Sequence, residues 1–450
     1  IWVYGLDDDD YFEVKGSKDI GPKVRLIGGQ NNDIYDIGKR KKTIIYDYKT
    51  QKNTLKTSNG RKHLTNNYSI NSYDPYKIKR SENLVVPSIG SNPDDGFKIS
   101  LSDTYTHKGF LQDPFTSQHK FNAAFYFATS GYDFSYKGEF VRALGNASFI
   151  IDAEYTSPNF SINFFGFGND TGNFDDDLDF DFNRVKIQTL KFAPSLLWRG
   201  RYGSMFRFGA SFENIKVEET EGRFIEDFYT TNPNLDNENT FLGTDIEYSY
   251  KNSDNAAFPT LGFDFSLHGG YKLNTKKGSE GFGYIIPKLA LDYKLIPSGT
   301  LVLATKIGGQ INFGDDFQFY QGASIGAENG LRGYRFQRFT GKYSYYQNTD
   351  LRVAIKNVRT SVLPLIIGAY GGFDYGRVWL SNDDSSSWNT SYGGGLFVNV
   401  SNLITARTGI FNSDDGIRFS FGFGFGFWFL YKEFRINTKW NRIYLVLMFS

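Results

Sequence analysis

Cysteine is absent from the 450 residues, so the chain has neither a disulfide framework nor a cysteine nucleophile. The formal net charge is only +1, far from the strong positive balance that nucleic-acid binding requires. Long apolar runs are missing too, because no stretch approaches the roughly 18 residues that a membrane-spanning helix needs. We therefore expect no nucleic-acid partner and no helical membrane protein.

Histidine is scarce as well. Only four His are present, and none stands in a D-x-H or H-E-x-x-H metal-binding pattern. The G-x-S-x-G motif of serine hydrolases is also missing. Glycine-rich stretches at 393–395 and 422–426 lie inside alternating runs, so we interpret them as wall glycines rather than phosphate-binding loops. We expect no catalytic residue within this chain.

Aromatic residues and glycine are abundant by contrast, with 44 Phe, 30 Tyr and 48 Gly. Apolar and polar residues alternate at period two over residues 95–427, and turn residues separate the runs. The low mean hydropathy of −0.42 fits such aromatic strands if one face contacts lipid and the other a polar lumen. The pattern predicts an all-β chain that forms a transmembrane antiparallel β-barrel of about 16 strands, surrounded by outer-membrane lipid.

Three local features of this strand assignment are specific enough to compare with a structure. Alternation predicts barrel strands at 160–167 and at 317–325. The polar composition of residues 219–255 predicts a long loop instead.

The final run, GIRFSFGFGFGF, begins at Gly416 and places five Phe on one face and small residues on the other. Bare glycines leave nothing to fill an opposing soluble core, so we expect the Phe face to contact lipid. A C-terminal strand that ends in Phe also resembles the signal recognised by the barrel-assembly machinery, which implies that machinery as a partner during biogenesis. The residues concerned are Phe419, Phe421, Phe423, Phe425 and Phe427.

Residues 1–48 contain two short alternating runs, each next to a Gly- and Asp-rich cluster, and predict a small β-rich segment. Two interpretations of the clusters stay open. Either they form ordinary Asp-rich turns, or they bind calcium as the turns of β-rolls do, although β-roll repeats recur more closely and in more copies. The calcium ligands would be Asp7, Asp8, Asp9, Asp10 and Asp33, and no other cofactor is expected.

The remaining segments lack sustained periodicity. Residues 49–94 are polar and predict a linker, and residues 428–450 are expected to be an atypical C-terminal extension. For that extension we consider an open-reading-frame extension or a disordered appendage, with a seventeenth strand as a third alternative. The chain opens at Ile1 inside a strand-like run without signal-peptide features, so we interpret it as a fragment that lacks its N-terminal part.

Three short motifs follow one another in the second half of the expected barrel. LRGYR begins at Leu331 between two expected strands, QNTDLRV begins at Gln347 and GGFDYGRVW begins at Gly371. In this order they resemble the sixth-loop, twelfth-strand and thirteenth-strand motifs of the bacterial surface-antigen superfamily, which contains outer-membrane insertases and two-partner-secretion transporters. The resemblance covers roughly residues 92–427, with Asn92 and Phe427 as its ends.

By this resemblance Arg332 reaches from the sixth loop into the lumen and pairs with Asp374, with Asp350 as a second acceptor. A guanidinium suits such a role because its planar fork bonds carboxylates bidentately. Gly333 would let the loop tip turn sharply, and Tyr334 would pack beside it. The alternative is that Arg332 is one of many solvated loop arginines.

The resemblance implies protein insertion, translocation or export across the bacterial outer membrane, with a polypeptide client. The first 94 residues show no amphipathic helical period, so the client-binding POTRA modules of that family are not visible. The N-terminal segment instead resembles the connecting region of Bacteroidetes proteins that fuse a calcineurin-like metallophosphoesterase to this barrel. The alternatives are therefore a membrane anchor or display barrel for an upstream phosphoesterase passenger, and a passive diffusion porin.

Overall fold

This computed structural model describes residues 1–425 with short gaps, and none of the helices described there is long and apolar enough to cross a membrane. The expected extension at 428–450 lies outside the described residues. The chain divides into two compact units. The gaps are residues 16–21, 39–41, 59, 76–80, 93, 95, 111–113, 176, 256–257, 277, 279, 328, 361–362, 382–384 and 402–403, and everything after 425 is also outside the description.

The first unit comprises Ile1–Val85, Asp103–Lys120 and Lys137–Phe149, and the second comprises Val86–Ser102, Phe121–Tyr136 and Ile150–Ser450. The elements before residue 72 all belong to the first unit. They are strands β1 Trp2–Leu6, β2 Tyr11–Val14, β3 Val24–Gly29, β4 Ile34–Ile37, β5 Thr43–Asp47, β6 Thr54–Ser58 and β7 Arg61–Leu64, and helix α1 Tyr68–Asn71.

These short strands form two parallel sheets, one in the order β1-β3-β5-β7 and the other in the order β2-β4-β6. Each coil of the chain therefore adds one strand to each sheet. Leu26, Tyr35 and Ile45 belong to the apolar cluster that packs within this stack, and each is nearly or fully buried. Burial of these apolar side chains stabilises the stack.

The segment 49–94 differs from the linker expected there. It contains β6, β7 and α1, and a further strand, β8, spans Glu82–Asn92. Sequence reasoning missed β7 because all four of its residues are exposed and the first three, Arg61, Lys62 and His63, are polar, so no alternation is visible. It missed β8 because Pro87 lacks the N–H that a strand ladder uses, and a proline inside a run normally indicates an edge or a break.

The barrel is built from the longer strands that follow. They are β9 Gly96–His107, β10 Ser117–Tyr126, β11 Gly131–Leu144, β12 Ala147–Thr156, β13 Ser161–Asn163, β14 Arg184–Arg199, β15 Ser204–Val217, β16 Glu238–Ser253, β17 Gly262–Asn274, β18 Gly281–Lys294, β19 Leu301–Phe313, β20 Ala323–Ile325, β21 Phe339–Gly341, β22 Tyr343–Arg359, β23 Pro364–Trp379, β24 Asn389–Val400, β25 Ile404–Ser413 and β26 Gly416–Phe425, with helix α2 Phe224–Thr231 between β15 and β16.

The sheet order of the barrel returns on itself. It runs from β8 through β12, β14 to β19 and β22 to β26, and it closes because β26 pairs with β8, with Phe421 opposite Ser91. The three-residue β13 is an accessory strand that pairs antiparallel with β14. Without β13 the closed order holds sixteen strands, so the predicted all-β barrel of about 16 strands is confirmed.

The predicted number of strands agrees with the structure although several strands were assigned to the wrong residues. Residues 219–255, expected as a loop, contain α2 and the barrel strand β16, and of residues 160–167 only β13 is a strand. Residues 317–325 form a 3-10 turn and β20, which pairs with β21 outside the barrel sheet. These residues alternate because one face packs in an apolar cluster instead of facing lipid. Within that cluster Phe319 packs against Phe164, with ring centroids 4.5 Å apart.

Strand β16 shows why its own pattern was misleading. Its outward side chains, among them Leu242 and Ile246, are exposed to the surroundings of the barrel. On the opposite face, Asp245 and Glu247 form ion pairs with Arg207 of β15 at 3.7 and 2.9 Å. Acidic residues at every second position make such a strand resemble a polar loop in sequence.

Candidate functional site

The connection between β19 and β22, residues 314–342, is here named loop six. Its tip is buried, and an apolar cluster joins it to the two barrel strands that follow it, β22 and β23. Leu331 and Tyr334 of the loop are almost inaccessible to solvent. The full cluster consists of Ile325, Leu331, Tyr334, Phe339, Tyr346 and Val378.

Arg332 makes the contact that the sequence motifs predict. Its Nη2 lies 2.6 Å from Asp374 Oδ1 and 2.7 Å from Asp350 Oδ1. Its Nε donates to the Asp374 carboxylate at 3.0 and 3.1 Å, and its backbone N–H donates to Asp374 Oδ2 at 3.1 Å. The guanidinium also stacks over the ring of Phe411 at 4.1 Å. Arg332 is therefore held by two carboxylates and a ring, and the solvated alternative does not describe it.

The carboxylates come from adjacent strands. Asp350 is on β22 and Asp374 on β23, where Asp374 stands opposite Asn348 in the register. Asp374 is fully buried and also accepts a hydrogen bond from Ser391 Oγ of β24 at 2.8 Å. A buried carboxylate is costly unless it is paired and hydrogen-bonded, and Asp374 receives both kinds of partner from this arrangement.

Gly333 and Tyr334 extend the same anchor. A Cβ on Gly333 would lie 2.8 Å from Ser391 Cβ and 2.9 Å from Ser413 Cβ, so only glycine lets the loop approach the wall this closely. Its carbonyl accepts a hydrogen bond from Ser413 Oγ at 2.7 Å. Tyr334 packs edge-on against Phe339 with centroids 5.2 Å apart.

Sequence reasoning missed a second anchor on the same loop, Arg335. Its side chain has no solvent exposure. The guanidinium donates to Asp94 at 2.8 Å, to Asp175 at 2.6 Å and to Asn163 Oδ1 at 3.0 Å. It also donates to the carbonyl of Phe180 at 2.9 Å and stacks on that ring at 3.8 Å. This arginine is more deeply buried and has more partners than Arg332.

Arg338 forms a third anchor, three positions further on. Its Nε donates to Asp415 Oδ2 at 2.6 Å, in the turn between β25 and β26. Its other nitrogens donate to the hydroxyl and the carbonyl of Thr171 at 2.7 and 2.8 Å. Arginines at every third position of the loop, 332, 335 and 338, were the signal that the sequence offered.

Asp94 connects these anchors to both ends of the barrel sheet. It follows β8 directly, and its Oδ2 accepts the backbone N–H of Phe336 at 3.1 Å. Arg418 of the final strand β26 lies 3.6 Å from the same oxygen. Loop six is thus bonded beside the junction at which the first and last strands of the barrel meet.

The residues considered for calcium lie in the first unit. Asp7, Asp8 and Asp9 are exposed, whereas Asp33 is fully buried and accepts the backbone N–H of Asp10 at 2.9 Å. Burial raises the pKa of Asp33 to about 6, and the nearby carboxylates of Asp47 and Asp10 contribute to the rise. Across the described part of the chain, no group of three or more His, Asp or Glu could hold a metal ion. Calcium binding stays an expectation.

The Asp33 and Asp47 carboxyl groups are both buried in this stack. A Cβ on Gly28 would overlap the Asp33 carboxylate and the Tyr35 hydroxyl and lie 2.6 Å from Asp47 Oδ2. The Tyr35 hydroxyl donates to Asp47 at 2.7 Å. The glycine therefore makes room for two buried carboxyl groups, and burial raises the pKa of Asp47 as well.

The proposed assembly signal is only partly within the described structure. Phe419 is 53% exposed on β26, and Phe421 is half-buried. Phe427 and the side chains of Phe423 and Phe425 lie outside the description. The exposed position of Phe419 agrees with an outward Phe face, and the signal itself stays a prediction.

Taken together, the fold and site define a sixteen-stranded barrel whose sixth loop is fastened inside by buried arginines. Among solved structures, BamA from Haemophilus ducreyi lacking POTRA domains 1–3 has the same fold, with a TM-score of 0.58 and 14% identity over 77% of this chain and 70% of that one. CdiB from Escherichia coli is similar at a TM-score of 0.49 and 10% identity, covering 77% and 62%. CdiB from Acinetobacter baumannii is similar at 0.49 and 10%, covering 78% and 60%.

Two other comparisons gave nothing. No protein-family model matches the chain. No curated protein matches it either.

Proposed function

We propose that this chain is an outer-membrane barrel that inserts, translocates or exports polypeptides across the bacterial outer membrane. The observation that carries the proposal is the Arg332 contact with Asp374 and Asp350, which joins all three sequence motifs in one site. The motifs resemble those of the surface-antigen superfamily, and the fold resembles BamA. We propose no catalytic reaction for these residues.

The physical chemistry of the site supports a loop that is held and can be released. Fixing a long loop inside a barrel costs conformational entropy, and the three arginines offset this cost through charge-assisted hydrogen bonds. Each arginine bonds a different part of the wall, at Asp374, Asp94 and Asp415. A polypeptide that displaces the loop must replace these bonds. The bonds therefore set the free energy that is needed to open the lumen.

The outward surface supports a lipid environment. Exposed large side chains such as Leu242, Tyr271, Leu303 and Leu396 lie on strands of the barrel sheet rather than in one local patch. An apolar surface of this extent is a liability in water and an advantage in a bilayer. A closed sheet is required there because every backbone amide must be bonded internally.

The test is a deletion of the gene in its host, complemented with the wild-type chain or with Arg332→Ala. We expect the deletion to remove particular proteins from the outer membrane or the secreted fraction, and only the wild type to restore them. Quantitative proteomics of both fractions measures this. Loss of only the passenger encoded with this barrel would favour the display alternative, and altered uptake of small solutes with unchanged proteomes would favour a porin.

A further inference from the structure

A second element enters the lumen from the end of the barrel opposite loop six. It is the turn between β16 and β17, which the structure describes at residues 254–255 and 258–261. The antiparallel order β16-β17-β18-β19 places this turn at one end of the barrel and loop six, which follows β19, at the other. The turn is compact, because the Asp254 carboxylate accepts the backbone N–H groups of Thr260 at 2.9 Å and Leu261 at 3.1 Å.

The turn does not stay beside its own strands. Its Phe258 ring packs against Phe397 of β24, with centroids 4.6 Å apart. Arg352 of β22 also contacts the Phe258 ring, with its guanidinium 4.8 Å from the ring centroid. The same guanidinium donates a hydrogen bond to the Pro259 carbonyl at 2.9 Å. In the sheet order, two strands (β18 and β19) separate β22 from β17, and four (β18, β19, β22 and β23) separate β24 from it. The turn therefore crosses part of the lumen.

The partner residues face the lumen. On β22, Leu351 and Val353 are exposed on the outer face, so Asp350 and Arg352 share the inner one. On β24, Tyr392 and Leu396 are exposed, and the alternating Phe397 is buried. Phe258 consequently lies between inward side chains of two strands.

Arg352 is itself held in place. It forms an ion pair with Asp292 of β18, and both side chains are about six-sevenths buried, with 13% and 15% exposure. Lys294 of β18, two positions along the same face, pairs with Asp254 of the turn at 3.1 Å. The turn is thus fixed by charged residues of the inner wall as well as by its ring.

We propose that residues 258–261 of this turn form a second closure of the lumen, with Phe258 as the obstructing side chain and Arg352 as its anchor. Barrels of 16 to 18 strands leave an aqueous channel unless something fills it, so two closures at opposite ends have a purpose. The inference concerns the resting state of the lumen and holds whether the barrel carries polypeptides or small solutes.

Both closures bond strand β22. Asp350 bonds Arg332 of loop six, and Arg352, two residues along the same inner face at about 6.6 Å, bonds the turn.

The test measures ion current through the purified full chain in planar lipid bilayers with KCl as the electrolyte. We compare the wild type with Arg332→Ala and with two double variants, in which Arg332→Ala is combined with either Phe258→Ala or Arg352→Gln. Phe263→Ala is the matched control, because Phe263 is exposed on the outer face of β17. Heat-modifiable mobility in gels establishes that each variant is a folded barrel.

We expect little current from the wild type and the control, and a several-fold higher current from the double variant than from Arg332→Ala alone. Arg352→Gln combined with Arg332→Ala gives a second route to the same result if Phe258→Ala fails to fold. An Arg332→Ala current that neither turn substitution increases would overturn the proposal, because loop six alone would then close the lumen. A wild type that already conducts fully would overturn it too, as would a folded double variant that stays silent.

Discussion

The side chains of Arg335 and Asp94 are bonded at 2.8 Å although 241 positions separate them along the chain. Both are buried, and Asp94 also accepts the backbone N–H of Phe336. The bond ties the tip of loop six to the segment between β8 and β9, next to the place where β26 closes the sheet. The bond therefore joins two parts of the barrel that are far apart in sequence.

Replacing Arg335 with lysine tests how much this anchor stabilises the barrel. An ammonium cannot reproduce the planar fork that bonds Asp94, Asp175 and Asn163 together. Breaking a buried ion pair costs about 3–5 kcal/mol. Lysine keeps the charge but cannot reach all three partners at once, so we expect Arg335→Lys to lower the free energy of unfolding by part of that amount. Urea titration in detergent, followed by heat-modifiable mobility, measures it. Arg359→Lys, at an exposed position of β22, is the control, and equal midpoints for both variants would refute the anchor.

Arg332→Ala should free loop six with a smaller effect on the barrel itself. Asp374 would remain fully buried with only Ser391 and a backbone N–H as partners. We expect the loop to become accessible to protease while the sheet stays folded, since Arg335 and Arg338 still bond it elsewhere. Limited proteolysis with mass spectrometry of peptides from residues 314–342 measures the change. Arg332→Lys should fall between wild type and alanine, and a loop as resistant in the alanine variant as in the wild type would show that the pair is not a lock.

Gly333→Ala separates the shape of the loop tip from its charges. A Cβ there would lie 2.8 Å from Ser391 Cβ, 2.9 Å from Ser413 Cβ and 3.0 Å from the Asn412 carbonyl. These neighbours belong to barrel strands and cannot easily retreat, so the loop must move outward and lengthen the Arg332 contact. We expect protease sensitivity close to that of Arg332→Ala. Gly278→Ala, in open space on the connection after β17, should have no effect, and identical behaviour of the two variants would contradict the close fit.

The barrel was predictable because lipid and lumen impose alternation on every strand that separates them. This rule gave wrong assignments in two situations: where packing inside the protein produced the same alternation, and where charged lumen-facing residues obscured the alternation of a barrel strand. Residues 317–325 alternate because one face packs around Phe319 inside the barrel, and β16 resembled a loop because Asp245 and Glu247 face the lumen. The parallel stack of the first unit was only partly visible, since its third coil, β5 and β6, lacks the Gly and Asp cluster of the other two.

The site was predictable only where short motifs carried it. Arg332, Asp350 and Asp374 lie in three motifs whose order was informative, and the structure places both carboxylates within 2.7 Å of the Arg332 guanidinium. The series 332, 335 and 338 indicates Arg335 but not its partners, because Asp94 and Asp175 are ordinary acidic turn residues until the fold brings them together. Contacts between residues that share neither a strand nor a motif could therefore not be predicted from the sequence.

The buried acidic cluster of the first unit makes its stability depend on pH. Burial raises the pKa of Asp33 to about 6, above the value near 3.9 of an unfolded chain. Between about pH 4 and 6 the folded unit therefore keeps a proton that the unfolded chain has lost, so stability falls as pH rises through this range. Above pH 6 the folded unit carries the full cost of ionising the buried Asp33, about 3 kcal/mol.

Asp33→Asn should remove the contribution of Asp33 to this dependence and leave that of Asp47, because an amide oxygen can still accept the Asp10 N–H at no cost in charge. We expect the variant to be more stable than the wild type at pH 7 and equal to it near pH 4. Hydrogen exchange of peptides covering residues 24–37 in the full chain measures both, with Asp36→Asn as the control at a half-buried position. Calcium adds a second arm, because an ion bound by Asp33 would slow exchange in the wild type at pH 7 and not in the variant. Faster exchange in the variant at pH 7 without calcium would show that ionised Asp33 stabilises the stack.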